Sequence, residues 1–273
     1  MAYHQLPRLL GSSIQPLAGS SSPPRAPHAR QRAGPLIRIA FFGGMALHSD
    51  GREMALNSRK AMALIAYLVL TPGMKATRVQ LVGLLWSDTE EAKARASLRQ
   101  LIHLVRYAFE KEGLEGLTTD RDSVKLDGSI FVTDLDYALE SIERGVPLDL
   151  LIDEPRITDS FLRFHDDLDP SFDSWLATKR ESVRQRLIRA LEAQLSDTSH
   201  STEATKRIAR TLLQIDPTQE VACQHLMRAC VASGNVGGAL AAYKQLWECL
   251  EEDYDIEPSA MTQELVVAIK NAT

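Results

Sequence analysis

The stretch AKARASLRQLIHLVRYAFE, residues 92–110, decides the fold of this chain. Its apolar side chains recur every three or four residues and predict the buried face of one long helix, formed by Leu98, Leu101, Ile102, Val105 and Phe109. Its basic side chains recur on another face, at Arg95, Arg99, His103 and Arg106. A helix of this kind suits the major groove of DNA, although most charged helix faces are only solvated. The elements around the helix therefore have to decide between the two interpretations.

Three short strands and two helices are predicted before this helix. The strands are IRIAFFG, MALH and EMAL, with a turn at residues 49–51. A first helix is expected to begin after a cap at Asn57 or Ser58 and to end near Leu70, before Thr-Pro-Gly. A second helix, RVQLVGLLW, follows a cap at Thr77. Its expected core residues are Val79, Leu81, Val82, Leu85 and Trp86.

A hairpin is predicted after the long helix. Its strands are Leu117–Thr119 and Ser123–Leu126, joined by a turn at residues 120–122, and Phe131–Val132 is expected to continue the sheet. The order of sheet, helix, helix, long helix and hairpin is that of a helix-turn-helix with a wing. The long helix would then enter the groove, and the hairpin would reach the DNA backbone or the adjacent minor groove.

The chain beyond Asp134 has an almost entirely helical pattern. A short helix at 137–144 and an irregular stretch precede a long helix at 172–195. A weak internal repeat follows, in which 203–217 ends in Ile-Asp-Pro and 238–258 ends in Ile-Glu-Pro. A second helix follows each repeat, at 220–232 and 260–269. Two such units, about forty residues apart, predict tetratricopeptide-like stacking.

These patterns predict a mainly α-helical chain with a small β component, in which a winged helix-turn-helix precedes an all-α, tetratricopeptide-like domain. The winged helix is expected to span residues 36–132 and the helical domain residues 133–273. Residues 1–35 are rich in Ser, Pro, Gly and Arg and are expected to form a disordered basic tail.

The charge of the chain is distributed unevenly. Residues 1–35 hold four Arg and no acid, residues 36–131 hold 13 basic against 11 acidic side chains, and residues 132–273 hold 14 against 25. A polyanionic partner for the front half fits this distribution. The longest apolar run, near residues 64–70, is too short to span a membrane. The absence of a secretory signal and the odd number of three cysteines favour a cytoplasmic location.

Sequence motifs for catalysis or for cofactor binding are missing. The chain contains no GxxxxGK[ST], HExxH or GxSxG motif. The acidic run at residues 166–169 lacks the Gly and the distal Glu of an EF-hand loop and is interpreted as solvated. No catalytic residue, metal ligand or cofactor is therefore expected, and the protein is not predicted to be an enzyme.

Two groups of segments resemble a known family. SRKAMALIAYLVL, LVGLLWSD and EEAKARASLRQLIHLVR resemble the OmpR-like winged helix of the SARP-type (antibiotic regulatory protein) bacterial transcriptional activators. DPSFDSWLATKRESVRQRLIRALEAQL and ALAAYKQLWECLEEDYDIEPSAMTQEL resemble the start and the end of their bacterial transcriptional activation domain, with Asp255 where the final turn of the family has glycine. The resemblance implies binding to short direct repeats of promoter DNA as a head-to-tail homodimer, and recruitment of RNA polymerase.

The resemblance also implies a set of contact residues. On the long helix, the expected base or phosphate contacts are Lys93, Arg95, Arg99, Gln100, His103 and Arg106. Arg99 is best suited to guanine, because arginine can bond O6 and N7 together, and Arg106 is better suited to phosphate. Further phosphate contacts are expected at Arg59 and Lys60, where the first helix starts, and at Arg121 and Lys125 of the wing. The loop before the long helix is expected to touch polymerase through Asp88, Glu90 and Glu91.

Two other functions remain open at this point. The acidic helical repeat could bind a partner protein, with the winged helix as a vestigial or protein-binding module. Alternatively, the chain could be the N-terminal regulatory part of a larger sensor.

Overall fold

The computed structural model describes residues 37–163 and 165–272. The tail predicted at residues 1–35 lies outside these residues. The first part of the described chain contains two small sheets that support three helices.

The first sheet has four strands in the order β3-β2-β1-β7. Its strands are β1 (Ile37–Ala40), β2 (Ala46–Ser49), β3 (Arg52–Glu53) and β7 (Phe131–Thr133). Strand β1 pairs antiparallel with β2 and parallel with β7, so that Ile37 lies opposite Phe131. The predicted turn between β2 and β3 is confirmed, with positive φ angles at Asp50 and Gly51.

The second sheet has three antiparallel strands in the order β4-β6-β5. They are β4 (Lys75–Thr77), β5 (Leu117–Thr119) and β6 (Ser123–Leu126). The hairpin of β5 and β6 forms the predicted wing and has the predicted bounds. Strand β4 was not predicted from the sequence, because it has only three residues and buries only Ala76, which is too short a pattern to indicate a strand.

Strand β7 forms where the sequence predicts a strand, but it joins the first sheet instead of continuing the wing. Its alternating burial gives the local pattern of a strand. The choice of neighbour depends on β1, more than 90 residues earlier in the chain, and a local pattern carries no information about it.

Three helices complete this part: α1 (Arg59–Val69), α2 (Arg78–Leu85) and α3 (Glu91–Lys111). The Ser58 side chain caps α1, and Thr77 and Gln80 form a reciprocal capping box at α2. The apolar face predicted for α3 is buried. One predicted core residue is wrong, because Val79 is 71% exposed at the second position of α2.

The rest of the described chain is helical. Its helices are α4 (Asp134–Glu143), α5 (Asp149–Asp153), α6 (Pro170–Leu195), α7 (Thr202–Ile215), α8 (Glu220–Ala232), α9 (Val236–Tyr254) and α10 (Ala260–Asn271). Helices α7 with α8 and α9 with α10 are the two predicted repeat units. The predicted fold class, a winged helix-turn-helix followed by a helical domain, is confirmed.

One hydrophobic core runs through both parts of the chain. At the end of β1, the ring of Phe161 lies 5.2 Å from that of Phe41 and 5.5 Å from that of Phe42. Buried Asp134, at the start of α4, accepts hydrogen bonds from the backbone N–H groups of Phe41 and Phe42, at 2.8 and 3.0 Å. The domain boundary after residue 132 stays a prediction, and the core crosses it. Within the described ranges, every helix is too short or too polar to cross a bilayer.

Candidate nucleic-acid interface

Helix α3 presents a polar face on the side opposite its buried face. Seven of its residues are buried, including Leu98, Ile102 and Phe109. The exposed side chains include Arg95, Arg99, Gln100 and His103, in agreement with the basic face predicted from the sequence. The apolar face fixes the helix on the core, so that these polar groups are presented from a rigid support.

The first two turns of α3 form one wall of a cleft of about 600 Å³. The other walls are the start of α2 and the tip of the wing. The lining residues are Thr77, Arg78, Val79, Val82, Glu91, Arg95, Leu98, Arg99, Asp120, Arg121 and Asp122. Three predicted contact residues from two separate elements, Arg95, Arg99 and Arg121, therefore meet at one place, which we call the α2–α3–wing cleft.

Arg78 joins the start of α2 to the tip of the wing. Its backbone N–H donates to the Asp122 carbonyl at 2.8 Å, and its Nε donates to the Asp120 carbonyl at 3.2 Å. The Asp120 carboxylate closes the turn by accepting from the Ser123 hydroxyl at 2.7 Å and from the N–H groups of Asp122 and Ser123 at 2.8 and 2.5 Å. These hydrogen bonds lower the pKa of Asp120. Arg78 was not predicted, because an arginine at a helix start has no pattern that relates it to a distant turn.

The cleft contains acids as well as arginines. Glu91 accepts from the Arg95 guanidinium at 2.5 Å across one helical turn. With Asp120 and Asp122, three carboxylates face four arginines in the lining. The cleft therefore has only a small excess of positive charge. Its affinity for a polyanion would depend on where each charge lies more than on the net charge.

Five other predicted contacts of α3 and the wing are not among the residues that line the cleft: Gln100, His103, Arg106, Lys93 and Lys125. Arg106 is half-buried and donates to the Thr119 hydroxyl at 3.0 Å, which ties α3 to strand β5. Lys93 is exposed and pairs with Glu90 at 3.2 Å. Lys125 is exposed on β6, opposite Lys75 of β4.

Arg59 and Lys60 lie at the start of α1 and contact other parts of the protein. Arg59 donates to the Asp166 carbonyl at 2.5 Å. The Lys60 ammonium donates to the Leu85 carbonyl at 2.5 Å and lies 4.7 Å from the centre of the Trp86 ring. Burial lowers the pKa of Lys60, while Asp169 acts in the opposite direction.

The loop before α3 is attached to the start of α6. One oxygen of Asp169 accepts from the Ser171 N–H at 3.0 Å and so caps α6, and the other accepts from the Ser87 N–H at 2.9 Å. The predicted polymerase contacts Asp88, Glu90 and Glu91 follow this anchor and are exposed. The contact fixes the acidic loop on the helical part of the chain.

Comparisons with known proteins bear on both halves. Residues 162–270 match the bacterial transcriptional activator domain, BTAD. The Regulatory protein AfsR of Streptomyces coelicolor is 24% identical over 91% of this chain. The structure of Mycobacterium tuberculosis EmbR in complex with a low-affinity phosphopeptide superimposes on 88% of this chain with a TM-score of 0.60 and 17% identity. By the BTAD match and the similarity to AfsR, the chain resembles the SARP-type bacterial transcriptional activators. It spans 26% of the length of AfsR and 66% of the EmbR chain.

The turn near the end of the matched activator domain connects two helices. The Glu220 carboxylate, on α8, accepts from the Ser259 N–H at 2.9 Å and from the hydroxyls of Ser259 and Thr262, each at 2.5 Å. Burial opposes the ionisation of Glu220, but these hydrogen bonds outweigh it and lower its pKa. Ser259 of the Ile-Glu-Pro-Ser turn thus connects the start of α10, in the last repeat, to α8 of the preceding repeat. Asp255 has a φ of 55°, a conformation that favours the glycine present in the family.

The described residues offer hydrogen-bond donors and charges at the candidate interface. Among residues 37–163 and 165–272, no group of three or more His, Cys, Asp or Glu side chains is placed to hold a metal ion. Cys223 and Cys230 are buried, and burial raises the pKa of Cys223 to about 12. The Cys223 thiol is therefore protonated at neutral pH, and both side chains pack as core residues.

Proposed function

We propose that this protein is a sequence-specific DNA-binding transcriptional regulator whose helix α3 enters the major groove. The observation that carries the proposal is the α2–α3–wing cleft, where Arg95 and Arg99 of α3 meet Arg121 of the wing. An α-helix fits the major groove, and arginine is the side chain best suited to guanine and to phosphate. The activator domain at residues 162–270 and the similarity to AfsR support regulation of transcription as the purpose of the binding.

The residues of the interface divide by their positions. Arg99, exposed in the cleft, is our choice for a bidentate contact with guanine, and Gln100 and His103 extend the contact along the exposed face of α3. Arg121 meets the backbone or the minor groove from the wing. Arg106 holds the wing against α3 and is better suited to a phosphate than to a base. Lys93 and Lys125 supply exposed charge for further phosphates.

The predicted phosphate contact at Arg59 and Lys60 is kept as the weakest part of the proposal. Both side chains already donate to carbonyl groups of the protein, at Asp166 and Leu85. They would have to exchange these partners for a phosphate, which makes contact there less favourable than in the cleft.

We further propose that the protein activates transcription by contacting RNA polymerase through the loop before α3. Asp88 and Glu90 are exposed there, and the bond between Ser87 and Asp169 fixes the loop on the activator domain. Binding as a homodimer to direct repeats would place two such loops along one face of a promoter.

Selection of bound sequences from a random DNA pool tests the proposal. We expect a direct repeat with a spacing of about one helical turn, and binding that weakens steeply as salt is raised. A footprint on the selected DNA should be lost or strongly reduced for Arg99→Ala with His103→Ala. It should be unchanged for Arg144→Ala, which removes an exposed arginine that follows α4 and pairs with Glu140. An unchanged footprint for the double variant would show that α3 is not the reading helix.

A second candidate function is that of a protein-interaction adaptor. The charge of the helical part supports it, because residues 132–273 hold 14 basic against 25 acidic side chains. On this alternative, the random pool yields no preferred sequence, while the protein forms a stable complex with a partner in the absence of polymerase.

A further inference from the structure

Two ion pairs at the start of α3 are alike in chemistry but differ in position. Glu91 pairs with Arg95 at 2.5 Å, and Glu90 pairs with Lys93 at 3.2 Å. All four side chains are more than half exposed. Among the described residues, Glu91 and Arg95 line the α2–α3–wing cleft, whereas Glu90 and Lys93 do not. The first pair thus lies where DNA is proposed to bind, and the second lies beside that place.

A carboxylate in this cleft is unfavourable for contact with a polyanion. Glu91 repels phosphates and occupies the guanidinium of Arg95, so its removal would strengthen binding to any DNA if it had no other role. The N4 amino group of cytosine, in the major groove, donates a hydrogen bond that glutamate accepts. This contact would offset the repulsion between Glu91 and the phosphates. A residue of this kind penalises every sequence except those that place cytosine opposite it.

The geometry of α3 favours contact with a base. Glu91 is the first residue of the helix, and the N-terminal residues of a recognition helix are those that reach base edges. Glu91 and Arg95 are separated by about 6 Å along the helix axis, at roughly 1.5 Å per residue. This distance is under two base-pair steps of about 3.4 Å each. The pair can therefore contact neighbouring base pairs while the carboxylate holds the guanidinium in position.

We propose that Glu91 is a specificity-determining residue, which accepts a hydrogen bond from a cytosine N4 amino group while Arg95 donates to a guanine of a neighbouring base pair. This inference rests on the proposed function. It separates Glu91 from Asp88 and Glu90, with which the sequence had grouped it as a polymerase contact.

The test compares Glu91→Ala with the matched control Glu90→Ala in the full chain. Each protein is titrated with the DNA selected by the wild type, with variants substituted at every position, and with DNA carrying a cytosine analogue that lacks the N4 amino group. We expect wild type and Glu90→Ala to lose about tenfold in affinity when the cytosine or its amino group is replaced at one position. Glu91→Ala should lose this discrimination at that position and keep it elsewhere.

Two results would overturn the inference while leaving the proposed function intact. Glu91→Ala could strengthen binding to all sequences by the same factor, which would make Glu91 only a repulsive charge. Glu91→Ala could also keep the full discrimination of the wild type. If the wild type binds all sequences equally, the proposed function fails, and the inference fails with it.

Discussion

The two sides of the winged helix carry similar cations with different surroundings. On the outer side, Arg95 and Arg99 are exposed in the α2–α3–wing cleft. On the inner side, Arg59 and Lys60 donate to carbonyl groups of Asp166 and Leu85. Arg59 and Lys60 lie in the first turn of α1, and Arg95 and Arg99 lie in the second and third turns of α3, so both pairs are in the N-terminal half of an amphipathic helix. This difference in partners shows that a basic pattern on a helix does not by itself identify a DNA contact. The side chain must also be free of hydrogen bonds to distant parts of the protein.

The largest expected effect is on the outer side. Arg95→Ala with Arg99→Ala should weaken specific DNA binding by at least about 100-fold, since each good arginine contact with a base contributes roughly tenfold or more. The free energy of unfolding should stay unchanged, because both side chains are exposed. Among the described residues, Arg95 has one ion pair, a surface contact with Glu91, and Arg99 has none. Fluorescence anisotropy and urea titration of the same preparations measure the two quantities. A large loss of stability would mean that these arginines hold the fold together, as is expected of Lys60.

The buried contact of Asp134 with the end of β1 should make the stability of the protein depend on pH. Burial raises the pKa of Asp134 to about 7, against the bonds from the N–H groups of Phe42 and Phe41, and its Oδ1 has no hydrogen-bond partner among the described residues. The folded state therefore retains a proton that the unfolded chain loses near pH 4. This group lowers the free energy of unfolding as pH rises from about 4 to about 7, by up to about 1.4 kcal/mol per pH unit.

Asp134→Asn isolates this contribution, because asparagine does not titrate. The stability of the wild type minus that of the variant should fall between pH 4 and pH 7 and level off above pH 7. Urea titrations at pH 5, 6, 7 and 8 measure this difference. A difference that does not change with pH would mean that Asp134 has the same protonation state in the folded and unfolded chains.

The Lys60 contacts should be more important for stability than for DNA binding. Lys60→Met keeps most of the aliphatic stem but removes the hydrogen bond to Leu85 and the contact with the Trp86 ring. We expect a loss of about 2 kcal/mol in the free energy of unfolding, combining a charged hydrogen bond and a cation–π contact. Lys93→Met, at an exposed lysine of α3, is the matched control and should cost almost nothing. If Lys60→Met instead weakened DNA binding at unchanged stability, the predicted phosphate contact at α1 would be correct.

Much of the fold could be predicted from local patterns. The strands of the wing, the caps at Ser58 and Thr77 and the buried face of α3 all follow from residues within one or two turns of each other. Val79 shows where such patterns fail. The period of α2 places Val79 with the core residues, yet the first turn of the helix projects beyond the core at the edge of the cleft. Where a short helix ends relative to its neighbours is a property of packing, which the sequence of that helix does not contain.

The candidate site was predictable in part for the same reason. Arg95, Arg99 and Arg121 could be selected because each belongs to a recognisable element, and the fold brings those elements together. The cleft position of Arg78 and Glu91 could not be predicted, because it depends on the distance between α2, α3 and the wing tip. The engagement of Arg59 and Lys60 also depended on contacts with Asp166 and Leu85, 107 and 25 residues away.

The smallest expected effect concerns Asp169, which connects the loop before α3 to the start of α6. Asp169→Ala removes both the cap of α6 and the acceptor for the Ser87 N–H. We expect a loss of about 1–2 kcal/mol in the free energy of unfolding, typical of a lost cap. Asp169→Asn should lower the free energy of unfolding by less, because asparagine is also a good cap. Some loss should remain, because asparagine has only one acceptor oxygen for two donors. If the loop must be fixed to act on polymerase, Asp169→Asn should reduce transcription from a target promoter while DNA affinity stays at the wild-type value. Equal losses of transcription and DNA affinity would instead mean that Asp169 supports the groove-binding surface itself.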